Sequence, residues 1–266
     1  MGNMSLTPLE VPGYLSPSSI ETFQICPLKY KFSRVDHMSE PPTEATILGN
    51  YVHDALEELL KLPAEERTMH SAKRLLAELW NRETPDEESW GEKIGRLVES
   101  EEDLRKFRWR AWWCIENYFE IEDPQAVVYG GLETGLDLLI EGVRVKGYID
   151  RWDPVDDGFN IVDYKTGKTP RPQYRAKKFQ QLGIYAAALG DVLNLPPKGM
   201  TLLYIKDGTV LQERVTPVSV GKTRELIKTT HAAIVERCEK GVFEATKNPL
   251  CGWCAYKPIC PAWRGQ

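Results

Sequence analysis

No stretch of this sequence is apolar for long enough to cross a bilayer, and its beginning lacks the basic-then-apolar pattern of a secretory leader. A cytoplasmic protein with no membrane partner is therefore expected. Internal repeats and low-complexity segments are also missing, which removes solenoid, propeller and fibrous architectures from consideration. Overall positive charge is absent too. The net charge is −5, so any contact with a polyanion has to come from a local patch rather than a global field. What remains is an ordinary globular composition over 266 residues, enough for a substantial core in one large domain or two small ones. The six cysteines, in a reducing compartment, point to metal or chemistry before disulfides.

The most informative stretch covers residues 147–185. It reads GYIDRWDPVDDGFNIVDYKTG, then a basic linker, then KKFQQLGIY. Two short apolar runs each end in an acid, Asp150 and Asp163, and Lys165 follows two residues after the second. Residues two apart on a strand share a face, so Asp163 and Lys165 project together. The Asp-Pro-Val-Asp-Asp-Gly segment between the runs predicts a hairpin, which brings Asp150 near them. Two carboxylates and an amine suit metal-assisted hydrolysis of a phosphodiester. The acids hold a hard divalent cation through oxygen; the lysine steers or deprotonates water, or stabilises charge developing on the phosphate. A lone DxK would be read more simply as an exposed strand end, but that reading leaves Asp150 and the glycine-flanked strand ends without an explanation.

Three ordered motifs carry a family resemblance: Gly147-Tyr148-Ile149-Asp150-Arg151, Ile161-Val162-Asp163-Tyr164-Lys165-Thr166-Gly167, and Gln181-Leu182-Gly183-Ile184-Tyr185. They resemble the PD-(D/E)xK nuclease superfamily, specifically its RecB-like exonuclease branch. The resemblance spans residues 16–260 but matches little between His53 and Gln125. It implies that Gln181 and Tyr185, one turn apart on a helix over 179–189, hold a phosphate or a base edge at the catalytic centre. It also implies a metal-ligating histidine at His53, in the G-x-x-[IVF]-H spacing of residues 49–53. Alone, a histidine on such a helix is more often packed or at the surface. Imidazole beside carboxylates suits Mn²⁺ better than Mg²⁺. The Tyr164 carbonyl is a further candidate ligand.

The rest of the chain reads in order. Residues 1–13 form a loose lead-in. A helix starts at Ser16-Pro17, with Ser18 and Glu21 offering a capping box in a shifted register. A second helix runs over 49–60. Residues 64–119 are strongly helical, with an acidic break at 85–91. Within 94–119 the cations Arg105, Lys106, Arg108 and Arg110 interleave with the first of several aromatics. That pattern fits a base-stacking surface; the favoured reading is an amphipathic helix burying its aromatic face. Strands are expected over 126–133, 136–140 and 143–149, with Glu141-Gly142 as a tight turn. Glu133 either orients a metal-bound water or a neighbouring cation, or is a solvated strand residue; the sequence leaves both open. Lys168, Arg171, Arg175, Lys177 and Lys178, together with Lys165, form the best local site for an anionic backbone. A hairpin around Asp207-Gly208 and a long helix over 218–240 follow.

The tail carries C-x₂-C-x₅-C-P at Cys251, Cys254 and Cys260. Three thiolates need a fourth, and spacing alone does not choose among Cys26, Cys114 and Cys238. RecB-like enzymes with an iron–sulfur clasp place one cysteine upstream of the histidine motif and three at the C-terminus. The resemblance thus implies Cys26 as the fourth ligand and a structural [4Fe–4S] cluster, with zinc as the competing occupant.

Together the resemblance implies an α/β fold with a restriction-endonuclease-like core, a mixed sheet flanked by helices. A helical N-terminal lobe would cover 1–124, the nuclease core 125–240, and a cysteine clasp 241–266. The implied activity is Mg²⁺- or Mn²⁺-dependent exonuclease action on DNA ends, in recombination, repair or replication. No helicase motif is present, so unwinding would fall to a helicase or recombination partner. Three alternatives share parts of this pattern: a CRISPR-associated nuclease trimming DNA before integration, a non-catalytic DNA-binding module stapled by the cluster, and a ferredoxin-like carrier. The intact Asp150, Asp163 and Lys165 weigh against the module, and the split of the cysteines between the chain ends weighs against the carrier.

Overall fold

Alternating and continuous apolar runs between residues 131 and 214 build one five-stranded mixed sheet. The computed structural model describes residues 8–83 and 88–263; the lead-in before residue 8 and part of the acidic break lie outside the described residues. The strands are β1 (Gly131–Ile140), β2 (Val143–Val155), β3 (Gly158–Tyr164), β4 (Pro197–Tyr204) and β5 (Thr209–Arg214), and they lie side by side in chain order. β1, β2 and β3 form an antiparallel meander, β3 and β4 are parallel, and β4 and β5 are antiparallel. The parallel step needs a crossover. It is made by α7 (Pro172–Lys178) and α8 (Gln180–Leu193).

Helices cover both faces, which is why successive residues of β3 and β4 are buried. On one face α1 (Pro17–Ile25), α2 (Pro27–Tyr30), α8 and α9 (Pro217–Lys240) pack on the sheet, joining Ile20, Phe23, Leu182, Ile227 and Ile234 to Ile161 and Leu202. On the other lie α3 (Glu44–Lys61), α4 (Met69–Asn81), α5 (Trp90–Gly95) and α6 (Glu101–Ile121). There Leu56, Leu59, Leu75, Phe107 and Ile115 meet Val162 and Leu203, the immediate neighbours of the first pair. The β1–β2 turn is Glu141-Gly142 as expected, both residues at positive φ (50° and 77°), the backbone of a two-residue hairpin.

Four local expectations change. The capping box of α1 is made by Ser16 and Ser19, not Ser18 and Glu21: the Ser16 hydroxyl accepts the Ser19 N–H at 3.1 Å, and the Ser19 hydroxyl accepts the Ser16 N–H at 2.8 Å. Residues 126–129 are not a strand. The buried Arg67 guanidinium donates to the Pro124 and Val127 carbonyls at 3.1 and 2.9 Å, taking the place of a strand partner. Part of the basic linker is helical, as α7. Finally, α6 buries Phe107, Cys114, Ile115 and Tyr118, but Trp109 and Trp113 stand exposed.

Candidate active site

The hairpin and α3 bring the predicted acids, lysine and histidine together at the C-terminal end of β3. Tyr164 N–H donates to Asp150 Oδ2 at 2.9 Å, which ties β2 to the DYK segment. Lys165 Nζ sits 2.6 Å from Asp163 Oδ2, so the two do share a face. From α3, His53 reaches across: its Nε2 lies 2.8 Å from the Tyr164 carbonyl oxygen and its Nδ1 3.4 Å from Asp150 Oδ2.

Glu133 completes this centre. The β1–β2 pairing runs through Leu132 opposite Arg151 and Thr134 opposite Ile149, and the intervening step faces Glu133 with Asp150. Both strands are irregular there. Glu133 has φ of 39°, a conformation uncommon outside glycine. Along β2, Ile149 enters the first core cluster, whereas the Arg151 guanidinium lies against Tyr164 of the second. The result places ligand atoms of His53, Glu133 and Asp150 within 4.8 Å of one another. Asp163 is not in that group; its nearest charge is Lys165.

The electrostatics match a cation site. Asn50, Asp54, Glu57, Trp90 and Lys93 line the same open cavity as the three ligands. Burial, and then the Asp150 charge, push Glu133 up to about 7. Burial followed by Asp150 raises Asp163 as well, against the pull of Lys165. Burial alone would lower the Lys165 ammonium, but the Asp163 carboxylate outweighs it and the lysine stays protonated. Carboxylates crowded this way hold protons that a divalent cation would displace, and two carboxylates, an imidazole and a nearby carbonyl are donors that suit Mn²⁺ or Mg²⁺.

Gln181 and Tyr185 lie on α8, across the sheet from α3. Gln181 Nε2 donates to the Tyr185 hydroxyl at 3.3 Å, and Asp163, Asp150 and Lys165 all act on the Tyr185 ionisation, so the pair adjoins the acids. Gly147 of the GYID motif is explained here: a Cβ on it would lie 2.7 Å from the Tyr185 ring. Lys168, Arg171, Arg175, Lys177 and Lys178 are exposed, with no acid paired to them among the described residues.

Arg151 had no role in the sequence reading, although it stands in the GYIDR motif. Its side chain is 2% exposed, grips Glu122 with two bonds of 2.6 and 2.7 Å, and donates to the Tyr164 hydroxyl at 2.8 Å. It locks the site strand to the end of α6.

The four cysteines singled out by the resemblance line one cavity of about 240 Å³, with Ile25, Phe32, Tyr256 and Trp263 among its apolar walls. Backbone N–H groups of Thr246 and Asn248 point at Cys26 Sγ and Cys251 Sγ, each at 3.4 Å. Cys114 and Cys238 lie elsewhere, buried in the two core clusters.

The sequence profile of the PD-(D/E)XK nuclease superfamily matches residues 14–261. The gene 69 protein of Mycobacterium phage L5 is 26% identical, over 94% of this chain and 96% of its own length. A segment covering 32% of the chain is 36% identical to 6% of an ATP-dependent helicase/nuclease from Pelotomaculum thermopropionicum. Among solved structures, a candidate exonuclease from Eubacterium rectale shares the fold, with a TM-score of 0.57 over 92% of this chain and 88% of that one, at 13% identity.

Proposed function

The chain belongs to the PD-(D/E)XK nuclease superfamily, and on that footing we propose that it is a RecB-like, metal-dependent exonuclease that hydrolyses DNA from its ends and favours single strands. The observation that carries this reading is the convergence of His53, Glu133 and Asp150 beside the Asp163–Lys165 pair.

In this proposal His53, Glu133, Asp150, Asp163 and the Tyr164 carbonyl hold one or two Mg²⁺ or Mn²⁺ ions. When bound, such ions supply positive charge to the phosphate and make water more acidic. Water attacks phosphorus, the bond to the leaving sugar oxygen breaks, and that oxygen takes up a proton. Lys165, kept charged by Asp163, orients the attacking water and offsets charge growing on the phosphate oxygens. Gln181 and Tyr185 hold the strand, and the exposed cations at 168–178 carry its phosphates. The segment shared with a helicase/nuclease supports a separate helicase partner that delivers an unwound end.

The cysteine cavity supports a [4Fe–4S] cluster stapling the α1–α2 junction to the tail. A single tetrahedral zinc needs sulfurs about 3.8 Å apart. Among the described residues no three of these cysteines lie within 4.8 Å of one another, and a cavity separates them.

The test compares linear with covalently closed circular single-stranded DNA, in Mn²⁺, in Mg²⁺ and in chelator. Loss of the linear form alone, and only with metal, is expected. Cutting of circles at the same rate would remove the requirement for an end.

A further inference from the structure

Two tryptophans on the outer side of α6 are exposed without any packing reason. Trp109 is 60% and Trp113 43% exposed. Their rings lie 5.5 Å apart and 18° from parallel, so the pair presents a flat aromatic surface to solvent. The helix already meets its core through Phe107, Ala111, Ile115 and Tyr118.

The rings stand in a stripe. Residues 105, 109, 113 and 117 are spaced by four, so they lie one above another along one side of the helix, about 6 Å apart. Arg105 opens the stripe and is exposed. Asn117 closes it, donating to the Lys206 carbonyl at 2.9 Å in the β4–β5 turn. The next residue of that turn, Asp207, accepts the Thr169 N–H at 2.6 Å. Thr169 sits among Lys168, Arg171 and Arg175. One continuous surface therefore leads from the cationic segment after the DYK motif to the two indoles.

We propose that Trp109 and Trp113 form a stacking platform for the bases of a single-stranded nucleic acid whose phosphates follow the cations at 168–178. This deepens the nuclease reading and rests on it for the position of the cut, though not for binding itself. A duplex shows an indole only its sugars, phosphates and base edges, whereas an unpaired strand offers aromatic faces of any sequence. Arg105 beside the rings and the cationic run beyond Asn117 complement a polyanion. Lys106 and Arg110 are already held by acids, Glu102 and Glu44 respectively, so they steady the helix instead.

The experiment titrates the full-length protein into labelled oligothymidylate and into a labelled hairpin duplex, in chelator so that nothing is cut. Trp109→Ala and Trp113→Ala are each expected to weaken single-strand binding roughly 5- to 100-fold and to leave duplex binding unchanged. Trp109→Phe and Trp113→Phe, which keep an aromatic face, should lose less. Wild-type affinity of both alanine variants for the oligothymidylate would overturn the platform and assign the rings to a protein-docking face. Cleavage with Mn²⁺ is scored separately. Failure of the nuclease reading leaves this titration as it is, and failure of the platform leaves wild-type cutting intact.

Discussion

His53 Nε2 lies 2.8 Å from the Tyr164 carbonyl oxygen, so a helix on one face of the sheet closes over the end of the strand that carries Asp163 and Lys165. Two candidate metal donors from distant parts of the chain meet at this point. His53→Ala should therefore raise the Mn²⁺ concentration needed for half-maximal cleavage by roughly 10- to 100-fold, while binding of DNA in chelator stays unchanged. An unchanged metal requirement would remove the imidazole from the site.

Gly147 meets the Tyr185 ring so closely that any side chain must move one of them. Gly147→Ala is expected to destabilise the protein by about 1–3 kcal/mol and to reduce cleavage by displacing Tyr185. Adding Tyr185→Ala should restore most of the lost stability without restoring activity. A double-mutant cycle in urea measures the coupling, and strict additivity of the two changes would contradict the contact.

Glu133 gives the metal-free protein a pH dependence. Burial and the Asp150 charge push its carboxyl up from 4.5 to about 7, so the folded state holds that proton more tightly than the unfolded state. The stability this brings is fully present below pH 4.5 and is lost as pH rises through about 7. Compared with Glu133→Gln, the wild type should lose about 1–2 kcal/mol across that window, allowing for screening on the open side of the site. Urea denaturation at pH 5 and pH 8 measures the difference, and Mn²⁺ should close it. Parallel curves for the two proteins would show that Glu133 is solvated.

Cys26 joins the tail cysteines around one cavity, although it lies near the other end of the chain. Protein purified without oxygen should contain iron and acid-labile sulfide in equal amounts, with visible absorbance that Cys26→Ser diminishes and Cys114→Ser leaves unchanged. Zinc without sulfide, in the same four-cysteine site, would contradict the cluster.

The hairpin and its acids were legible because period-two apolar runs, an Asp-Gly turn and the DxK spacing all agree on one arrangement. Other features depend on contacts that no local pattern announces. Residues 126–129 read as a strand, but the Arg67 guanidinium satisfies their carbonyls from sixty residues away in sequence, at Val127. Seven residues of the basic stretch form α7, whose side chains are all exposed and so leave no apolar stripe to read. Glu133 joins the site through an irregular backbone, and its flanking glycines in GGLETG were the one available signal. Arg151 looked like a surface cation after the acid and proved to be a buried anchor, because Glu122 and Tyr164 converge on it only in three dimensions. The aromatic residues of α6 divide between core and surface, and their sequence spacing alone does not tell which way each ring faces.

The most direct measurement of the central claim is digestion of single-stranded DNA labelled at either end, by wild type and by Lys165→Ala, with Mn²⁺ present. Lys165 is 2.6 Å from Asp163 and is assigned to the attacking water, so the variant should bind the strand as wild type does and cut it at least roughly 100-fold more slowly. Equal cutting by the variant and the wild type would place the chemistry elsewhere and contradict the account.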